Sequence, residues 1–140
     1  MGIYTAPVLN YRFQVLIENT ELAFSKVSGI SMNRELEVVS EGGNSGGRLA
    51  LGKPKGIQTL RLEAGVYKSG PAILHRIRPG IYLPGGVVIN VLDGGASIAV
   101  KYGTDAAYVA KWDVSELNAR QGSVLINTFE IAYTQLSILK

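Results

Sequence analysis

Toward the carboxyl end of the chain, apolar and polar positions alternate with a period of two. In 124–136, Leu125, Phe129, Ile131 and Tyr133 fall on one face, and Val124, Ile126, Thr128, Glu130, Ala132 and Thr134 fall on the other. That spacing is a strand's, because successive Cβ atoms of an extended chain point to opposite sides. Thirteen residues at about 3.3 Å each would reach roughly 43 Å, longer than the usual strand of an isolated small domain. Just upstream, in 107–115, Tyr108, Ala110, Trp112 and Val114 mark one face of another strand. Strands of this length suit a barrel wall or a sheet shared between copies.

The same reading extends over the rest of the chain. Tyr11, Phe13, Val15 and Ile17 alternate with Arg12, Gln14, Leu16 and Glu18, and a turn at 19–21 leads to a strand over 22–27. Ser28-Gly29 breaks that strand before 32–39 resumes with Arg34, Glu35 and Glu37 interleaved. Residues 57–64 form a further strand. Asp93-Gly94-Gly95 is a hairpin turn between 87–92 and 97–102. Between 69 and 80, Ile73, Leu74 and Ile77 follow Ser69 as a cap and Pro71 in the first turn, which predicts one helix. Four glycines in the seven residues 41–47, then Lys53, Pro54 and Lys55, read as an exposed loop over 41–56. The expectation is a mainly β, single 1–140 domain with an amino-terminal arm over 1–10. It is an antiparallel β-barrel or sandwich of about eight strands with one flanking α-helix.

Composition narrows the chemistry. The chain has 140 residues, 46% of them apolar, with no cysteine and one histidine, His75. Disulfides and thiolate metal sites are thereby excluded, as is an imidazole cluster within one chain. No window supplies the eighteen or more apolar residues of a bilayer helix, so the monomer is not expected to insert into a membrane. The amino terminus lacks a charged segment followed by an apolar core and cleavage site, which points to synthesis in the cytoplasm. The net charge of +3 is dispersed, without the basic face and interleaved aromatics of a nucleic-acid binder. Residues 47–53 fit the first seven positions of the phosphate-binding pattern G-x-x-x-x-G-K, but Pro54 stands where a magnesium-binding hydroxyl is needed. His75 reads as a structural histidine, and Glu35, Glu37, Glu41, Asp93, Asp105, Asp113 and Glu116 show no ligand-like spacing. Trp112 and Tyr133 are candidates for a ligand pocket, with core packing as their commoner use. No catalytic, metal or cofactor-binding residue is predicted.

Several pieces, read in order, match a known pattern. Tyr11-Arg12-Phe13-Gln14-Val15, Ala23-Phe24-Ser25-Lys26-Val27-Ser28-Gly29 and Glu41-Gly42-Gly43 come first. Leu51-Gly52-Lys53-Pro54-Lys55-Gly56-Ile57 and Leu60-Arg61-Leu62 follow, then Ala110-Lys111-Trp112, Leu117-Asn118-Ala119 and 126–133. In this respect the chain resembles the bacteriophage tail-tube family, the inner tubes of contractile tails, tailocins and extracellular contractile injection systems.

The resemblance implies a ring-forming fold in which six copies join their strands into one wall and the rings stack into a hollow tube inside a sheath. Four strands from each of six copies, at about 4.8 Å spacing and roughly 40° tilt, would give a backbone diameter of about 48 Å and a bore of roughly 40 Å. The partners implied are further copies in a homo-hexamer, the tail sheath protein, a baseplate or tube initiator, and a tape-measure protein or cargo in the lumen. The particle would be a virion tail or an extracellular injection device. The loop over 41–56 is then the candidate contact between rings, with Glu41, Arg48, Leu49, Leu51, Lys53 and Lys55 as its residues. A tube-initiating baseplate protein of the same fold is the alternative within the class. A basic nucleic-acid-binding barrel and a small-ligand barrel are the alternatives outside it.

Overall fold

A computed structural model describes residues 12–40, 42, 46–54, 56–65, 76–120 and 125–139. The strands are β1 (Arg12–Ile17), β2 (Thr20–Leu22), β3 (Lys26–Ser28), β4 (Arg34–Val39), β5 (Arg48–Pro54), β6 (Gln58–Gly65), β7 (Tyr82–Leu83), β8 (Val87–Leu92), β9 (Ile98–Thr104), β10 (Ala107–Val114), β11 (Ile126–Tyr133) and β12 (Leu136–Ile138). All pairings among them are antiparallel. Two five-stranded sheets, ordered β12-β9-β8-β1-β2 and β3-β6-β11-β10-β7, form the body, and β4 and β5 make a separate two-stranded sheet.

The alternation read from sequence decides which side chains the body buries. Val15 and Ile17 of β1 and Ile89 of β8 meet Leu60 and Leu62 of β6 and Phe129, Ile131 and Tyr133 of β11 in one core, all at most 2% exposed. Phe24 crosses between the sheets and sets its ring edge on Phe129, centroids 6.0 Å apart and planes at 83°. Burying each of these side chains contributes about 1.5–3 kcal/mol. Turn chemistry supplies the register. Glu18 and Asn19 both have positive φ, 53° and 61°, the twist that a two-residue hairpin loop requires between β1 and β2. At the β8–β9 turn the Asp93 carboxylate accepts from the backbone N–H groups of Gly95 and Ser97.

Four expectations need correction. No closed barrel forms among the described residues, where each body sheet ends in edge strands of two or three residues: β2 and β12 in one, β3 and β7 in the other. No helix occurs among the described residues. Of the expected helix, 69–75 lies outside them, as does His75, and 76–80 is a turn. There Gly80 takes a φ of 92° and donates its N–H to the Val109 carbonyl, so this stretch is held by the sheet edge. The thirteen-residue strand is two strands. β11 stops after eight residues and β12 continues in the other sheet. The Asp105 carboxylate causes the break by accepting the N–H groups of Thr134 and Gln135, each at 3.2 Å, and the Thr134 hydroxyl. Burial acts to raise the Asp105 pKa, but the bonds from Thr134 and Gln135 outweigh it and hold the group below its ordinary value. The fourth correction concerns the glycine-rich loop.

Candidate functional site

Residues 48–54 of the expected loop are strand β5, and with β4 they form a hairpin arm. The apolar letters of both strands alternate. Leu36 pairs with Leu51 and Val38 with Leu49, so four aliphatic side chains share one face. They are 59%, 68%, 71% and 70% exposed, in that order. On the other face lie Glu37 and Val39, in register with Ala50 and Arg48. An arm patterned this way is half of a packed layer without its second half.

The arm is firmly rooted although its face is bare. Tyr133, buried in the core, donates its hydroxyl to the Gly29 carbonyl at 2.7 Å and accepts from the Ser31 N–H at 3.3 Å. Ser31 and Asn33 each donate to the Gln58 Oε1, at 2.7 and 2.9 Å. Gly29 has a φ of 90°, and a Cβ there would stand 2.1 Å from the Thr59 carbonyl oxygen, so this crossing admits only glycine. Within the arm, Arg34 donates from Nη2 to the Gly52 carbonyl at 3.3 Å.

The expected contact residues divide as follows. Leu49 and Leu51 stand on the apolar face, and Lys53, also exposed, falls in the register shift between Leu51 and Pro54, where the alternation is interrupted. Arg48 lies on the opposite side. Glu41 and Lys55 lie outside the described residues. Leu36 and Val38 were missed as contact residues, although two apolar alternations across a glycine-rich turn are themselves a hairpin signal. Composition concealed it: glycine, lysine and proline around Leu49 and Leu51 look like loop until β4 is seen pairing with them.

The other candidates separate cleanly. Tyr133 is 2% exposed and belongs to the core. Trp112 is 48% exposed and donates its indole N–H to the Asn127 Oδ1, so it neither fills the core nor lines a pocket with Tyr133. A bulge between Val109 and Lys111 breaks the expected single face over 108–114: Tyr108 pairs with Ala132 on the outer face and stacks at 4.9 Å on Tyr82, whereas Trp112 pairs with Phe129 on the opposite face. Among the described residues no group of three or more His, Cys, Asp or Glu side chains could hold a metal ion, and no helix is long and apolar enough to cross a membrane.

Known proteins give this arrangement a context. No curated protein sequence matches the chain. Among solved structures, the chain is similar to the tube-terminating cap of the anti-feeding prophage, with a TM-score of 0.82 and 14% identity over 100% of this chain and 95% of that one. It is similar to a chain of the anti-feeding prophage baseplate, with a TM-score of 0.77 and 26% identity over 97% of each. A third likeness is to a chain in the extended sheath–tube complex of the PVC extracellular contractile injection system, with a TM-score of 0.78 and 13% identity over 94% and 90%. The model of the family described as T4-like virus tail tube protein gp19 matches residues 9–137. The chain belongs to that tail tube family.

Proposed function

We propose that this chain is the repeating inner-tube subunit of a contractile phage tail or a phage-tail-like injection system, a structural protein with no catalytic turnover. The observation that carries this reading is the tail-tube family match over 9–137, and the bare apolar arm gives it a physical means. Four exposed aliphatic side chains on a two-stranded arm are a hazard in a lone monomer and an asset in a subunit. Copies would join as hexameric rings, and rings would stack. The arm, with Arg48, Leu49, Leu51 and Lys53 and with Glu41 and Lys55 at its borders, would make the contact between copies. The lumen would pass a tape-measure protein, a genome or a toxin, and a sheath would surround the tube. The subunit would be made in the bacterial cytoplasm and act in the finished particle.

Negative-stain electron microscopy of the purified chain tests this reading. Hollow filaments or stacked six-fold rings are the expected result. A species that stays monomeric at high concentration, alone and with the partner sheath and baseplate proteins, would overturn it. One observation favours a second reading. The baseplate neighbour is 26% identical, against 13–14% for the cap and sheath–tube neighbours, which favours a tube initiator; isolated rings that never stack would select it.

A further inference from the structure

The body carries an apolar hollow of about 310 Å³ that neither body sheet closes. Phe13, Val91, Val100 and Tyr102 line it from the first sheet, and Val27 and Ile30 from the strand and crossing opposite. It lies where the core face of β1 and β8 runs on past the packed centre, since Phe13 continues the face of Val15 and Val91 that of Ile89. No charged side chain lines it, and its one polar side-chain group, the Tyr102 hydroxyl, has no hydrogen-bond partner among the described residues. Its volume is about twice the ~150 Å³ of an apolar cavity that holds a benzene molecule, so it has room for more than one aliphatic side chain.

We propose that the chain's own amino-terminal segment covers this hollow, with Val8 and Leu9 entering between Phe13 and Val100. Residues 1–11 lie outside the described residues. The docking is made within one chain, so it goes beyond the tube-subunit reading and does not depend on it. Three observations favour this occupant. Position comes first: of the segments outside the described residues, 1–11 is the one joined directly to a strand that lines the hollow, since it enters β1 one residue before Phe13. Segments 66–75 and 121–124 instead adjoin β6 and β11 at the end of the second sheet where Gly65 pairs with Ile126. A tether this short holds its segment at an effective concentration on the order of millimolar, which a separate partner must exceed. Chemistry comes second. Residues 1–11 contain no Asp, Glu, Lys or Arg, and Ile3, Tyr4, Pro7, Val8 and Leu9 offer apolar side chains to a lining without charge. Reach comes third. At about 3.3 Å per residue Val8 is roughly 17 Å of chain from Phe13, and Asn10 favours the turn that doubles the chain back. A main-chain group of the segment would then supply the partner that the Tyr102 hydroxyl lacks.

The chain has no cysteine, so introduced thiols report this contact directly. The full-length Val8→Cys, Val100→Cys double variant, oxidised and run on a denaturing gel without reductant, should give mainly an intramolecular disulfide, seen as a faster-migrating single chain. The Val8→Cys, Lys101→Cys variant moves the second thiol one residue along β9, to the opposite face of the sheet, and should not. In the variant Val8→Asp, Leu9→Asp the uncovered hollow should raise the fluorescence of 1-anilinonaphthalene-8-sulfonate severalfold and lower the thermal midpoint by about 5 °C, with strand content by circular dichroism as the check on folding. Intermolecular linkage in the first variant would assign the covering segment to a second copy, and linkage no greater than in the control would show that Val8 does not reach the hollow. Either result overturns the proposal, as would dye fluorescence and a midpoint unchanged from the parent. Rings or filaments by electron microscopy bear only on the tube-subunit reading, so the two can fail separately.

Discussion

Single residues fix where the chain can turn, and two of them set measurable limits. Gly29 holds a φ of 90° with the Thr59 carbonyl where a side chain would be. Gly29→Ala therefore combines backbone strain with a clash against backbone, and urea unfolding is expected to show a loss of about 3 kcal/mol or more. Gly46→Ala, with nothing within 4 Å of the added carbon, should stay within about 0.5 kcal/mol of the parent. Asp105 sets a pH limit. Its pKa in the folded chain lies below the ordinary value of an aspartate. Its bonds to Thr134 and Gln135 therefore stabilise the fold in full above about pH 4, and that contribution is lost as the pH falls through the lowered value. Thermal midpoints of the parent should drop more steeply below pH 4 than those of Asp105→Asn; parallel curves would show that the carboxylate is not what holds β11 and β12 apart.

At the scale of elements, the arm differs from the other hairpins among the described residues. The β1–β2 and β8–β9 hairpins bury one face in the sandwich, whereas the β4–β5 arm pairs with no strand of the body sheets. Its apolar residues consequently contribute little to the stability of a single copy and much to contacts between copies. The double variant Leu36→Ser, Leu51→Ser should keep its thermal midpoint within a few degrees of the parent, as exposed substitutions do. By sedimentation velocity it should remain dissociated at concentrations where the parent assembles. A variant that assembles as well as the parent would remove the arm from the interface.

Among the described residues the two body sheets of the sandwich end in four edge strands. A ring that continues one body sheet from copy to copy would pair that sheet's opposite edges, β2 with β12 or β3 with β7. Hydrogen exchange of assembled against dissociated protein should thus show slowed backbone exchange at both edges of one such pair, with central β8 unchanged. If neither pair is slowed, the joints between copies lie in side chains, and the continuous wall is not how this protein closes a ring.

Local pattern in the sequence determined the β class, most of the strands, the β8–β9 turn and the buried faces of β1 and β11. Each of these depends on the two-residue period and on turn residues that act within a few positions. The recurring pieces also carried the family. Tertiary structure decided the rest. The thirteen-residue alternation over 124–136 is divided by a carboxylate 29 residues upstream of Thr134, and no local period registers such a partner. The alternation over 108–114 is broken by a bulge between Val109 and Lys111 that puts Tyr108 and Trp112 on opposite faces of β10, and no local period registers it. β5 was hidden because glycine and lysine weaken a strand signal that pairing with β4 restores. The bare face of the arm is apolar in the sequence, as a core face would be. Only the fold determines that nothing in the same body sheets covers it, because burial is a property of neighbours and not of residues.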